Sequence, residues 1–175
     1  LMGEGIAEYQ GSVLSGKEAM ARAKIRPVEL ECKEGIALNN GTQLMTAIAA
    51  LAVYDAEMLL KTAQVATALT LEALLGVSDA FDAKIHSIRP HKGQTLVARN
   101  VKKTFAGSRL VQTGTEAMRN THRPHDPYSL RCTPQVLGAA RDAIAYARGV
   151  VKVEINSATD NPLVFPEERV CLSGG

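Results

Sequence analysis

Tyr128, Ser129 and Arg131 put a phenol, a hydroxyl and a guanidinium on one short segment, Asp126-Pro-Tyr-Ser-Leu-Arg-Cys-Thr-Pro-Gln-Val-Leu-Gly138. A guanidinium offers parallel N–H bonds in one plane and can clamp a carboxylate. A phenol can donate or accept a proton. Two prolines bracket the cluster. Pro127 lacks an N–H and biases Asp126 away from helical backbone. Pro134 suits the first turn of a following helix, with Thr133 as its N-cap. The pattern predicts a polar cluster held at the mouth of an apolar helix. The residues alone leave a second reading open, in which Arg131 pairs with Asp126 and Tyr128 packs on the helix.

Other residues could carry chemistry. Asn40 lies in the break Asn39-Asn40-Gly41, where its amide can bond a buried carbonyl or cap the chain locally. His125 sits just before Asp126-Pro127; an imidazole is donor and acceptor like an amide, but can also change charge near neutral pH. His122, His125, Asp126 and Cys132 can be read as a metal set. Their spacing matches no tight zinc pattern and Pro124 and Pro127 restrict it, so no metal is assigned. Phe165 follows the turn Asp160-Asn161-Pro162 on an extended piece, where ordinary core packing is one reading.

The elements that must position these groups are mostly helical. From Thr42 to Leu75, Ile48, Leu51, Ala52, Met58, Leu59, Ala66, Leu69 and Leu74 recur at near-helical spacing, and alanine fills much of the rest. Charges are few: Asp55, Glu57, Lys61 and Glu72. A helix this apolar on most sides is predicted to be buried, with Gly76 ending it. Thr133 to about Asn156 forms a second long helix, striped by Val136, Leu137, Ala140, Ile144, Ala147, Val151 and Ile155. Gln94–Ala106 reads as a third, whose Arg99, Lys102 and Lys103 form a solvated face. Residues 17–24 and 34–40 carry short helices, Val28–Cys32 an extended arm, 77–92 a loop, and 107–127 a polar segment in which Gly114 weakens any helix.

The 175 residues suffice for one sizeable core. Hydrophobic residues make up 46% but aromatics only 4%, so the core must be built from Ala, Leu, Val and Ile, which suits packed helices over a sandwich or barrel. The expected class is mainly α, a bundle of long helices with little or no sheet. A net charge of +2 is too balanced to argue for nucleic acid or an acidic membrane surface. No apolar run approaches the roughly 18 residues of a membrane span. Three distant cysteines, Cys32, Cys132 and Cys171, fit a reduced, cytoplasmic setting.

Asp-Pro-Tyr-Ser-Leu-Arg-Cys-x-Pro-Gln-Val-x-Gly-Ala resembles the signature of the histidine ammonia-lyases, which use the prosthetic group 4-methylidene-imidazole-5-one (MIO). Two further stretches agree. Lys33-Glu-Gly-Ile-Ala-Leu-Asn-Asn-Gly-Thr-Gln43 is similar to the family's Lys-Glu-Gly-Leu-Ala-Leu-x-Asn-Gly-Thr-Gln. Ser157-Ala-Thr-Asp-Asn-Pro-Leu-Val-Phe165 resembles its Ser-Asp-Asn-Pro-Leu-x-Phe. Arg89-Pro-His91 with Gly93-Gln94 looks like its Arg-Pro-His-Pro-Gly-Gln, with Lys92 in place of Pro. The motifs keep the family's order across essentially the whole chain.

The resemblance implies elimination of ammonia from L-histidine to give urocanate. It implies that Arg131 holds the substrate carboxylate, that Tyr128 acts beside the prosthetic group, that Asn40 contacts that group, and that Phe165 flanks substrate and group. His125 stands where the family has Gln, at a position facing substrate and prosthetic group. MIO forms from an internal Ala-Ser-Gly, and none occurs here; Ser-Gly follows only Leu14 and Leu172. The resemblance therefore implies one fragment over 1–175, central to a longer protein and inactive alone. Residues 1–41 would be a peripheral segment and entry loop, and 42–175 the long helices with an active-site loop at 107–132. A homo-oligomer, tetramer or dimer, is implied, acting on a small amino acid, with no membrane or nucleic acid as partner. A related aromatic amino acid lyase or aminomutase, and a non-catalytic helical scaffold, are the alternatives.

Overall fold

Between Gln43 and Ala73 the sequence has no glycine, no proline and few charges. The computed structural model, which describes residues 1–174, makes one continuous helix of it. Its backbone divides into two compact units, Leu1–Gln43 with the segment from Ala158 on, and Leu44–Ser157.

The first unit opens with a hairpin, β1 (Ile6–Tyr9) and β2 (Ser12–Ser15), paired antiparallel. Gln10 and Gly11 both take positive φ, as a two-residue loop matched to the strand twist requires. Ser15 accepts from Glu18 N–H at 3.3 Å and so caps α1 (Gly16–Arg22). Residues 28–32 form no strand. After α2 (Glu34–Asn39), Asn40 ends the turn with its N–H on Ile36 O at 2.8 Å. A second hairpin, β3 (Leu163–Phe165) with β4 (Val170–Leu172), completes the unit.

Lys33 ties the unit together. Its ammonium reaches Asp160 at 2.8 Å and also donates to Pro162 O, linking the Lys-Glu-Gly and Asp-Asn-Pro motifs. The Lys33 hydrogen bond holds the Asp160 carboxyl below the ordinary carboxylate range, with the Asn161 N–H adding to it. A lowered folded value means this link contributes above the ordinary carboxylate range and is lost as pH falls through the lowered value. Lys33→Met is expected to bring the Asp160 titration midpoint, followed by carboxyl carbon NMR, back up toward the ordinary range. An unmoved midpoint would contradict the link.

The second unit is helical: α3 (Gln43–Ala73, from Leu44 on), a 3-10 turn (Ser78–Phe81), α4 (Ala83–Ser87), α5 (Lys92–Thr104), α6 (Gly114–Thr121), α7 (Tyr128–Arg131) and α8 (Thr133–Ile155). The mainly α class holds, with sheet confined to the two hairpins. The core gathers Ala68, Leu71, Phe81, Val97, Val101, Phe105 and Leu130. Phe81 and Phe105 meet edge to face, with ring centroids 5.8 Å apart. Beneath them His86, 1% exposed, is held between two partners. It lies 3.1 Å from Ala80 O and 3.0 Å from the Gln94 amide nitrogen. Nε2 faces the carbonyl oxygen and Nδ1 the amide nitrogen, so the ring is held at both ends.

The closest helix packing joins α5 to α8 rather than the two longest helices to each other. Two glycines make it possible. A Cβ on Gly138 would lie 2.4 Å from Gln94 N, and one on Gly93 would lie 2.1 Å from Gly138 O. Asp142 of α8 then accepts from Gly93 N–H at 3.1 Å, serving an N-terminal donor of α5 that His91 does not cap.

Several local expectations are corrected. Gly76 is not the left-handed residue that ends α3; Leu75 is, at φ 51°. Gly76 N–H bonds Leu71 O and Leu75 N–H bonds Glu72 O, the Schellman pattern, and a Cβ at Gly76 would crowd the Leu71 backbone. Thr133 is not the cap of α8: it is the first helical residue, and Cys132 precedes it. The loop 77–92 contains the 3-10 turn and α4, the latter capped by Asp82 accepting from Lys84 N–H. The segment 107–127 contains α6, set by a capping box between Thr113 and Glu116.

α3 also departs from its predicted burial. In the single chain only Leu60, Gln64, Ala68 and Leu71 of that helix are buried. Leu44, Ile48, Leu51, Leu59 and Leu69 keep 60% or more of their surface exposed. By length and composition α3 is apolar enough to cross a membrane, contrary to the reading of its run lengths. Polar residues such as Asp55, Glu57, Lys61 and Gln64 interrupt it throughout.

Candidate functional site

The C-terminal end of α3 fixes the loop that carries the polar cluster. Arg123 donates to Leu74 O at 3.1 Å and Leu75 O at 2.8 Å, satisfying carbonyls that the helix end leaves open. Its guanidinium also lies 3.3 Å from Asp126 Oδ1. Asp126 is 1% exposed, and its other oxygen accepts from Val77 N–H at 2.6 Å. One buried carboxylate thus binds the strand-like exit of α3 and, through Arg123, its last turn. Pro127 follows with extended backbone and caps the single turn of α7. The partner of Asp126 is therefore Arg123, and the pairing of Asp126 with Arg131 weighed from sequence is not formed.

Arg131 is left free for another task. Its guanidinium carbon lies 4.2 Å from the centroid of the Tyr128 ring, a cation–π stack that fixes its plane. Its Nε is buried without a hydrogen-bond partner, as is Oε1 of Gln135. Both side chains line an open cleft of about 290 Å³ together with Val77, Asp79, Ile85 and His125. The Tyr128 ring is 71% exposed. His125 is exposed, with Nδ1 3.2 Å from Asp126 O. The arrangement presents a planar cation, a phenol and a neutral amide to one small concavity. That set suits a carboxylate-bearing small molecule.

The structure brings Tyr128, Arg131 and His125 together on this cleft. Asn40 and Phe165 belong to the other unit, where Asn40 is exposed at the end of α2 and Phe165 lies exposed in β3. Gln135, Asp79 and Arg123 were not singled out from sequence. Gln135 had a signal, since it lies four residues after Arg131 in the same motif. Asp79 and Arg123 had none, because their partners Gly114, Leu74 and Leu75 are remote in sequence. Among the described residues no three His, Cys, Asp or Glu side chains gather as a metal site.

A family model described as aromatic amino acid lyase matches residues 1–175. The histidine ammonia-lyase of Alkaliphilus metalliredigens is 55% identical over the whole chain, which covers 34% of that relative. Among solved structures, the Pantoea agglomerans phenylalanine aminomutase superposes with a TM-score of 0.89 at 33% identity, over 99% of this chain and 36% of its own. The histidine ammonia-lyase of Trypanosoma cruzi superposes with a TM-score of 0.80 at 36% identity, over 99% of this chain and 31% of its own. The chain thus spans about a third of the length of the relatives it matches.

Proposed function

Because the chain belongs to the aromatic amino acid lyase family, we propose that it supplies the substrate-carboxylate site of a histidine ammonia-lyase-like enzyme. The observation that carries this reading is Arg131, stacked on Tyr128, with a buried Nε that no protein group satisfies. The reaction removes a β-proton from L-histidine and breaks its Cα–N bond. Ammonia leaves as the carbon–carbon double bond of urocanate forms. On this reading Arg131 holds the carboxylate, and the Tyr128 hydroxyl moves a proton near the reacting carbons. His125 offers an imidazole where the family has an amide.

The prosthetic group of this family is MIO, an electrophile that engages the substrate amine. This chain has no Ala-Ser-Gly from which to build it. On the cleft of the second unit, His125 and Tyr128 are exposed and would line the rim of such a group. The group itself would come from residues outside this chain, and the piece alone is inactive on this reading. An Ala-Ser-Gly encoded upstream in the same reading frame is the expected finding. A parent lacking it would favour the helical scaffold. The closer backbone match to an aminomutase supports a second reading in which the amine is returned to the neighbouring carbon. The histidine-lyase wording of the Tyr-Ser-Leu-Arg-Cys stretch favours elimination.

The apolar surface of α3 supports a homo-oligomer. Water-exposed apolar area forgoes roughly 25 cal/mol per Å² that burial would gain, and α8 adds Val136, Val150 and Val153 at more than half exposure. Monomers seldom expose patches of this size. Several copies packing these helices in closed symmetry would cover them. Sedimentation equilibrium at micromolar concentration is expected to show a dimer or tetramer. A stable monomer of 18.7 kDa would contradict the packing. The free thiols of Cys32, Cys132 and Cys171 support a reducing, cytoplasmic compartment.

A further inference from the structure

Three buried side-chain atoms of residues lining the cleft lack hydrogen-bond partners: Arg131 Nε, Gln135 Oε1 and Asp126 Oδ1. Arg131 Nε–H is a donor and Gln135 Oε1 is an acceptor. The backbone keeps them on successive turns, because Cys132 N–H bonds Tyr128 O and Val136 N–H bonds Cys132 O, both at 3.0 Å. A buried polar atom left without a hydrogen bond costs about 1–3 kcal/mol, so native structures rarely retain one without a use. The two carboxylates on the walls each face a group of the protein. Asp126 is held by Val77 N–H and faces Arg123. Asp79 accepts from Gly114 N–H at 3.1 Å. Asp126 Oδ1 answers the Arg123 guanidinium at 3.3 Å, which leaves the Gln135 carbonyl as the buried acceptor with neither a hydrogen bond nor an ion pair.

An α-amino acid carries an acceptor and a donor on one carbon: a carboxylate and an ammonium. We propose that Gln135 is a second substrate-positioning residue, its side-chain carbonyl accepting a hydrogen bond from the α-ammonium of the amino acid whose carboxylate Arg131 holds. The inference rests on the carboxylate reading of Arg131 and extends it. Two fixed points on one carbon orient its remaining bonds, including the Cα–Cβ bond that becomes the double bond. Gln135 acts through position and moves no proton.

The test compares two probes on the chain by isothermal titration: L-histidine, and 3-(imidazol-4-yl)propanoate, which keeps the carboxylate and ring but lacks the amine. The unaltered chain is expected to prefer L-histidine by about tenfold, the worth of one hydrogen bond to a charged group. Gln135→Leu is expected to abolish that preference while leaving the propanoate within about twofold of its former affinity. Gln135→Glu, which keeps an acceptor at the same place, is expected to retain the preference. Circular dichroism confirms that each variant is folded. A preference that survives Gln135→Leu, or an equal loss of both probes in that variant, would overturn the role of Gln135. Arg131→Ala is expected to weaken both probes alike. If it weakens neither, the carboxylate reading fails whatever Gln135 does. If the unaltered chain binds neither probe, the cleft is not the amino-acid site and both proposals fall.

Discussion

Arg131→Ala is expected to lower ammonia release from L-histidine by about 100-fold or more in kcat/KM. The vehicle is a chimera in which this chain replaces the matching third of the Alkaliphilus metalliredigens relative. Arg131 has no protein hydrogen bond at Nε to lose, and Asp126 pairs with Arg123 and accepts from Val77, so the substitution breaks no buried ion pair. What it removes is the clamp. Two charge-assisted hydrogen bonds to a carboxylate are together worth about 3 kcal/mol or more, and each 1.36 kcal/mol is about tenfold in rate. Arg131→Lys should recover only part of the loss, because an ammonium cannot make the parallel pair or stack flat on Tyr128. If Arg131→Ala leaves kcat/KM within about threefold, the carboxylate is held elsewhere.

Gly138→Ala and Gly149→Ala, on the same helix, are expected to have opposite signs. A Cβ at Gly138 would stand 2.4 Å from Gln94 N and 2.5 Å from Gln94 Cα. Those atoms are backbone of α5 and have no rotamer by which to withdraw. Overpacking of this kind costs about 1–3 kcal/mol or more. The better helix propensity of alanine returns about 1 kcal/mol, so the clash prevails and α5 must part from α8. At Gly149 an added Cβ meets nothing within 4 Å. The same substitution there should therefore stabilise by about 0.5–1 kcal/mol. Thermal unfolding followed by circular dichroism reads both: a drop of several degrees for Gly138→Ala and a small rise for Gly149→Ala, at about 2–4 °C per kcal/mol in a chain of this size. Shifts of the same sign would mean that the Gly93–Gly138 crossing does not set the packing.

The two long helices were legible because α3 and α8 keep an apolar helical periodicity, unbroken by glycine or proline in α3 and sustained across Gly138 and Gly149 in α8. The position of Arg131 beside Tyr128 was legible because both lie in one short motif. What escaped was whatever depends on a remote partner. Asp126 has two arginines within reach in sequence, Arg123 and Arg131. Only the fold shows that Arg123, already bound to the last carbonyls of α3, is the one it meets. The pairing of Gly93 with Gly138 has no sequence signal, since each glycine alone resembles a helix-weakening residue. α6 was misread because Gly114 was weighed as an interior breaker. It is the first helical residue, where glycine does little harm, and the Thr113–Glu116 capping box was the local signal that outweighs it. The burial of α3 was misjudged for another reason. Its apolar circumference calls for cover, and a single chain supplies only the stripe from Leu60 to Leu71.

The most direct test of the account is ammonia release by the chimera carrying the unaltered chain. If residues 1–175 supply the carboxylate clamp and the rim of the prosthetic group, the chimera should convert L-histidine to urocanate and ammonia in equal amounts. It should do so with kcat/KM within about tenfold of the relative that supplies the other two thirds. A chimera that folds and assembles as the relative does, yet releases no ammonia from L-histidine, would contradict the account.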